Sequence, residues 1–242
     1  MVAQSYYFFW RVFLLLSYSF FILGLLLSNQ ILRYIHPDFI KWQWFSAILL
    51  FFFAFIQVAS PKLKDAKLHP LVICAFLLPL VLGYLVPPVL LGADAVQRQG
   101  WSVYDTQWGS SSLYLDENLV GGSHPILISD ENFVQVMHAL YQQPQKYVDR
   151  EVELTGFVAR YPSLDFTEFL LVRLIVSCHV AHAQPDGFIV VADNAEELAL
   201  NQWVHVRGYI EIDDHIGSTV LKLRAVDIQK VPPLTNPYVY LW

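Results

Sequence analysis

Apolar residues gather into three long runs near the start of the chain, at about 12–31, 39–59 and 71–91. Each approaches the roughly 20 residues that carry a helix across about 30 Å of hydrocarbon. Tyr6, Tyr7, Trp10, Tyr34, Trp42 and Trp44 stand at the ends of these runs, where aromatic belts form at a membrane interface. The pattern predicts three transmembrane helices within an anchor of residues 1–93. A cleavable signal peptide is the rival reading of the first run, but no small-residue cleavage site precedes the second, so the run is expected to be retained. No charged residue sits in mid-span, which disfavours a solitary ion pathway and points to an anchor or accessory subunit.

Beyond residue 93 the pattern changes twice. Residues 94–123, with Trp101, Trp108 and Gly121-Gly122, keep no sustained period and read as a linker. Within SDENFVQVMHALYQQP, apolar Phe133, Val136, Met137 and Leu140 recur at helical spacing after a Ser129 or Asp130 cap, predicting a helix over 131–142. From Glu151 the period becomes two. Candidate strands are 151–160, 168–180, 187–192, 203–212 and 218–231, with a short helical NAEELAL segment between the third and fourth. Five strands in this order predict an all-β OB-like barrel over residues 124–242, with a flanking helix. Gly156 and Gly208, inside the first and fourth strands, mark positions where such a strand bends or bulges.

Charge sharpens the division. The first 93 residues carry 6 Lys/Arg against 2 Asp/Glu, a net of +4, and the rest carry 9 against 19, a net of −10, which together give the chain's −6. A surface this acidic repels phosphate backbones, so nucleic acid is excluded as a partner; membrane lipid is the partner of the anchor. Lys62, Lys64 and Lys67 make the loop between the second and third runs the most basic, which predicts that this loop and the amino terminus are cytoplasmic. The carboxyl-terminal domain is then extracytoplasmic. Arg33 and Lys41 in the first loop argue the other way.

Candidate chemistry concentrates in VSCHVAHAQPDG, residues 176–187, where Cys178, His179 and His182 fall within five positions. If 168–180 is one strand, Leu170, Val172, Leu174, Val176, Cys178 and Val180 share a core face, and Arg173, Ser177 and His179 lie on the other with Phe169, Leu171 and Ile175, which make it only partly polar. QPDG then reads as a turn with Pro185 at its second position. A bend between Val180 and Ala183 would instead bring Cys178 or His179 to His182, and thiolate with imidazole suits zinc or copper. A fourth ligand from His205, His215, Asp213 or Asp214 has no spacing to support it. No HExxH, CxxC, GxSxG or Gly-rich phosphate loop is present, so an enzyme is not expected. A thiol-dependent enzyme would need a remote base such as His205.

Tandem apolar runs, the Asn132-Phe133 helix, VELTGFV at 152–158, the arginine of LVRLIVSC and above all SCHVAHAQPDG resemble the YcgQ-like bacterial membrane family whose carboxyl-terminal domain is called DUF1980. Its most specific part is Ser177-Cys178 through Ala183-Gln184-Pro185. Members resemble SCCVADAQP there, so His179 replaces a cysteine and His182 an aspartate, both still ligand types. Relatives resemble one another also in a His-rich loop between spans, where this chain has only His69. The resemblance implies a multi-pass protein of a bacterial plasma membrane, the accessory subunit of a two-component permease. Its implied partner is a polytopic DUF318/YraQ-like permease; the ligand chemistry of this segment and the acidic domain point to a transition-metal cation as the expected substrate. A membrane-anchored OB-type metal or haem chaperone is the competing function.

Overall fold

The structure is a computed structural model of the chain and describes residues 2–60, 69–86, 91–99, 120–121, 124–215, 218–234 and 236–241. It divides into two compact units: Met1–Val89 with Cys178–Ala181, and Leu90–Ser177 with His182–Trp242.

In the first unit, helix α1 spans Val2–Leu27 and stops earlier than the apolar run. Asn29 takes a left-handed backbone, φ 55°, which a short polar side chain tolerates better than the leucines before it, and a 3-10 turn at Gln30–Arg33 follows. Helix α2 spans Ile40–Ala59 after a second 3-10 turn at Pro37–Phe39. The segments Tyr6–Leu27 and Pro37–Ala59 are long and apolar enough to cross a membrane, and only 17% and 11% of their most apolar windows are buried inside the protein. Core helices of a soluble protein are mostly buried, so these surfaces fit lipid. Where α1 meets α2, Ala47 and Ala54 are almost fully enclosed and the Ser19 hydroxyl donates to the Ala47 carbonyl at 2.8 Å. Small side chains and a hydroxyl cross-link are how helices pack when lipid supplies no hydrophobic driving force.

Helix α3, Pro70–Leu85, corrects the third predicted span. Its 16 residues rise about 24 Å, short of the hydrocarbon thickness. Two helices among the described residues, not three, meet the length and composition of a span. Val86 is extended (φ −108°, ψ 98°), as expected of a residue preceding proline, so the apolar run outlasts the helix. Pro87, Pro88 and the basic residues Lys62, Lys64 and Lys67 lie outside the described residues. The Tyr18 hydroxyl donates to the Phe76 carbonyl at 2.7 Å, tying α3 to α1.

In the second unit, a short helix α4, Ala93–Gln99, occupies the start of the predicted linker, and its first amide donates to the Asn201 side chain at 2.6 Å. Residues 100–119, 122 and 123 of that linker lie outside the described residues. Strand β1 (Ile126–Ile128) precedes helix α5 (Phe133–Gln142), followed by β2 (Glu151–Ala159), β3 (Glu168–Val176), β4 (Gln184–Val191), β5 (Trp203–His215), β6 (Ser218–Lys230) and β7 (Tyr238–Tyr240). Five of these strands close a ring. β2 pairs antiparallel with β3, β3 with β4, β5 with β6 and β5 with β2, while β4 and β6 run parallel. β1 and β7 add parallel pairings to β2 and β3. The result is a β-barrel-like domain whose core joins Val152, Leu154, Phe169, Leu171, Phe188, Val190, Val204 and Leu223 to Phe133, Val136 and Leu140 of α5.

Two glycines let strands approach. A side chain on Gly208 would collide with the Arg224 carbonyl, where the β5–β6 register shifts. On Gly187, at φ +155°, it would collide with the Leu171 carbonyl. That closeness explains the failure of the predicted QPDG turn. Gln184 through Gly187 are the first residues of β4, opposite Ile175 through Val172, and the chain reverses before them.

Candidate metal centre

The reversal is made by residues 177–183. β3 ends at Val176, four residues short of the predicted strand end, and a single 3-10 turn at Val180–His182 leads into β4. Val180 and Ala183 are buried and pin the two sides of the loop, while Ala181 and His182 are exposed. Within the first unit, His179 forms an antiparallel bridge with Ile35, the His36 amide donates to the Cys178 carbonyl at 2.9 Å, and the Val180 amide donates to the Tyr34 carbonyl at 3.0 Å. These bonds hold the loop backbone where the β3 ladder no longer does.

Cys178 is therefore not an inward core residue. It is half-buried, as is His179, and with exposed His182 it forms a cluster whose ligand atoms all lie within 4.8 Å of one another. Bound zinc, with Zn–S near 2.3 Å and Zn–N near 2.0 Å, separates tetrahedral ligands by roughly 3.5 Å. Small side-chain rotations bridge the difference. Neither Cys178 nor Cys74 forms a disulfide. The proposed remote ligands are engaged elsewhere: His205 Nδ1 lies 2.9 Å from the Thr155 hydroxyl, and Asp213 pairs with Lys222 at 2.6 Å. The side chains of Asp214 and His215 lie outside the described residues.

Arg173 is placed opposite to expectation. Phe169, Leu171 and Ile175 of β3 belong to the core cluster, so the odd face, not the even one, looks inward, and Arg173 shares it. Its side chain is 3% exposed; Nη1 meets Asp130 Oδ1 at 2.7 Å and donates to the Thr155 carbonyl at 3.3 Å. The guanidinium carbon stands 5.4 Å from the centre of the Trp203 ring, within range of a cation–π contact. Burial holds its pKa below the ordinary arginine value, against the opposing pull of Asp130. Asp130 is thus a partner of Arg173, not a helix cap. The turn before α5 is closed by Asn132, whose side chain accepts from the Ser129 amide at 2.7 Å and donates to the Leu127 carbonyl at 2.9 Å.

Asp186 is the registered neighbour of Arg173 on β4. Burial pushes its carboxyl up to about 6, against hydrogen bonds from the Gly187 amide at 2.7 Å and the Tyr141 hydroxyl at 3.4 Å. Of the other motif residues, Gly156 lies where a side chain would meet the Val172 carbonyl at 2.8 Å, Ser177 is exposed, and Ala183 is fully buried. Gln184 and Pro185 open β4. From sequence, Asp130 was read only as a helix cap and Asp186 only as a turn residue, and Tyr141 was not singled out. Their signal, an unpaired arginine in an otherwise apolar strand, was present but named no partner.

Comparison with known proteins agrees with this architecture. The DUF1980 N-terminal domain model matches residues 10–102, and the DUF1980 C-terminal domain model matches residues 110–241. The UPF0703 protein YcgQ of Bacillus subtilis is 21% identical over 284 aligned positions, covering 95% of this chain and 98% of that protein. A Streptococcus mutans protein named "Putative two-component membrane permease complex subunit" is 25% identical over 272 positions, covering 94% of this chain and 98% of its own length. With one model on the helical unit and the other spanning more than half of the sequence, the chain belongs to the DUF1980 family.

Proposed function

We propose that this chain is the accessory subunit of a two-component membrane permease and that Cys178, His179 and His182 bind a transition-metal cation, zinc or copper(II). The observation that carries the reading is the convergence of one thiol and two imidazoles within 4.8 Å on a partly exposed loop. Soft and borderline ligands of this kind select those metals over calcium or magnesium. Convergence of two imidazoles, where a Cys–His nucleophile needs one base, favours a binding role over an enzymatic one. The name of the Streptococcus mutans relative supports the permease assignment. The partner is a polytopic DUF318/YraQ-like permease in a bacterial plasma membrane.

The barrel is of the OB type in this reading. Counting β2 through β6 as strands one to five, the circuit 1-2-3-5-4-1 with its single parallel pairing supports that assignment. The amino terminus is cytoplasmic and the carboxyl-terminal domain extracytoplasmic in this reading, with the third apolar run, about 71–91, as a third crossing of which α3 covers only part. Support comes from Lys62, Lys64 and Lys67 between the second and third apolar runs, the most basic of the loops, which the positive-inside bias puts on the cytoplasmic side.

Mild-detergent pull-down of the tagged full chain from its native membrane, with elemental analysis of the eluate, tests the assignment. A copurifying polytopic protein, with zinc or copper lost in Cys178→Ala, is expected. Metal without a polytopic partner would favour the chaperone; a polytopic partner without metal would remove the metal reading.

A further inference from the structure

We propose that the end of the barrel bearing Tyr161, Phe166 and Leu200 is a docking surface for a basic, apolar segment of a partner protein. This end is separate from the cysteine–histidine loop. β3 begins at Glu168 and ends at Val176, and its 9 residues, at about 3.3 Å each, set the two ends of the strand roughly 25 Å apart.

Strand register assembles the surface. Phe157 near the close of β2 pairs with Trp203 at the start of β5, and Glu168 at the start of β3 pairs with Val191 at the close of β4. The loops 160–167 and 192–202 therefore leave the barrel at the same end. Arg160 stitches them together, its guanidinium donating to the carbonyls of Glu168, Ala195 and Leu198 at 3.0, 2.5 and 3.5 Å. The Asn201 amide adds a bond to the Val158 carbonyl at 2.9 Å.

Phe166 is 82% exposed here, Leu200 50% and Tyr161 38%. The backbone around Phe166 is fastened on both sides. Before it, the Asp165 amide donates to Glu168 Oε2 at 3.2 Å, and the Glu168 amide donates back to the Asp165 carbonyl at 3.0 Å. After it, the Ala192 amide donates to the Thr167 carbonyl at 2.9 Å. The Glu168 carboxylate is itself held by Lys222 at 2.6 Å. These bonds keep the ring out in water, where an apolar group gains nothing by itself. Aromatic side chains held out among polar neighbours are the anchors that protein interfaces bury at their centres.

Charge selects the occupant. Asp165, Asp193, Glu196 and Glu197 lie in the two loops against a single cation, Arg160, so these loops carry 1 − 4 = −3. Lys230 at the close of β6 brings the end to −2 without changing its sign. Such a rim attracts Lys and Arg and repels anionic lipid headgroups, which disfavours the membrane surface as the occupant of the exposed rings. A segment carrying both basic and apolar side chains satisfies the rim and the anchors together.

The test places p-benzoylphenylalanine at Leu200 in the full chain and irradiates it in its native membrane. An adduct with one protein is expected, at a segment where Lys or Arg alternates with apolar residues. A labelled peptide of that segment should bind the full chain in phosphatidylcholine nanodiscs, at least about 30-fold more weakly in Phe166→Ala. Glu196→Lys with Glu197→Lys should weaken it about tenfold at low salt, and exchanging the peptide's basic residues for glutamate should restore binding to that variant. Phe166 is exposed, so its loss does not threaten the fold. Adducts on lipid, adducts on acidic or unrelated segments, or a yield no higher than with the probe at Val226 in mid-strand of β6 would overturn the inference. Wild-type peptide affinity in Phe166→Ala would overturn it equally.

Discussion

Arg173 and Cys178 stand five positions apart in sequence, and the structure treats their polar groups in opposite ways. Arg173 is enclosed in an apolar barrel and tied to Asp130, the Thr155 carbonyl and the Trp203 ring. Cys178, with His179 and His182, lies on a half-exposed loop where the potential ligand atoms converge on one another. A buried charge must be held by fixed partners or it unfolds its surroundings. A ligand site must leave its donors together and reachable. Both are unusual residues in an apolar stretch, but one is a strut and the other a receptor.

The sharpest way to break this contrast is to remove Asp130. Asp130→Ala leaves the buried Arg173 charge without its half-exposed partner, and a loss of about 2–3 kcal/mol is expected, measured by denaturant unfolding of the full chain with hydrogen exchange read at β3. Cys178→Ala or His182→Ala in metal-free protein should cost about 1 kcal/mol or less in the same measurement. Equal losses at both places would dissolve the distinction.

Asp186 gives a pH-dependent version. Its folded pKa, about 6, lies above the ordinary 3.8, so the folded state binds the proton more tightly than the unfolded one. Stability tied to this proton is full below about pH 3.8 and falls as pH rises through 6. Asp186→Asn, which mimics the protonated carboxyl, should stabilise the barrel by about 2–3 kcal/mol at pH 8. The gain should vanish near pH 4, read from unfolding midpoints across that range. A pH-independent gain would place the effect elsewhere.

Zinc should reverse the order of sensitivity. At a hundred times its dissociation constant, zinc should stabilise wild type by about 2.7 kcal/mol and leave Cys178→Ala unchanged, observed as a shift in thermal midpoint. Smallest of all, His69→Ala removes an exposed cap and should cost about 0.5–1 kcal/mol without affecting zinc binding.

The helix α5 and strands such as β2 and β5 were legible because periods of 3.6 and 2 are clear where one face is polar. β3 is buried at all nine positions, so alternation offered no contrast and the inward face was assigned to the wrong parity. β1 and β7, three residues each, are too short to carry a period. Pro185, Asp186 and Gly187 carry strong turn signals, yet Gly187 serves the approach of two strands and the turn lies upstream at a sequence with no such signal. The third span was overestimated because apolar residues continue past Leu85, where the proline that follows Val86 stops the helix. Cys178 and His182 were singled out by residue type. That they meet follows from the 3-10 turn at Val180–His182, where the sequence had left a bend open between Val180 and Ala183 as the alternative to a continuous strand.

Zinc-edge X-ray absorption of the zinc-loaded full chain, wild type against Cys178→Ala, is the most direct measurement of the proposed centre. One sulfur near 2.3 Å and nitrogen ligands near 2.0 Å, with the sulfur lost in the variant, is the expected result. Zinc bound only by nitrogen and oxygen in wild type, or a spectrum unchanged by Cys178→Ala, would contradict it.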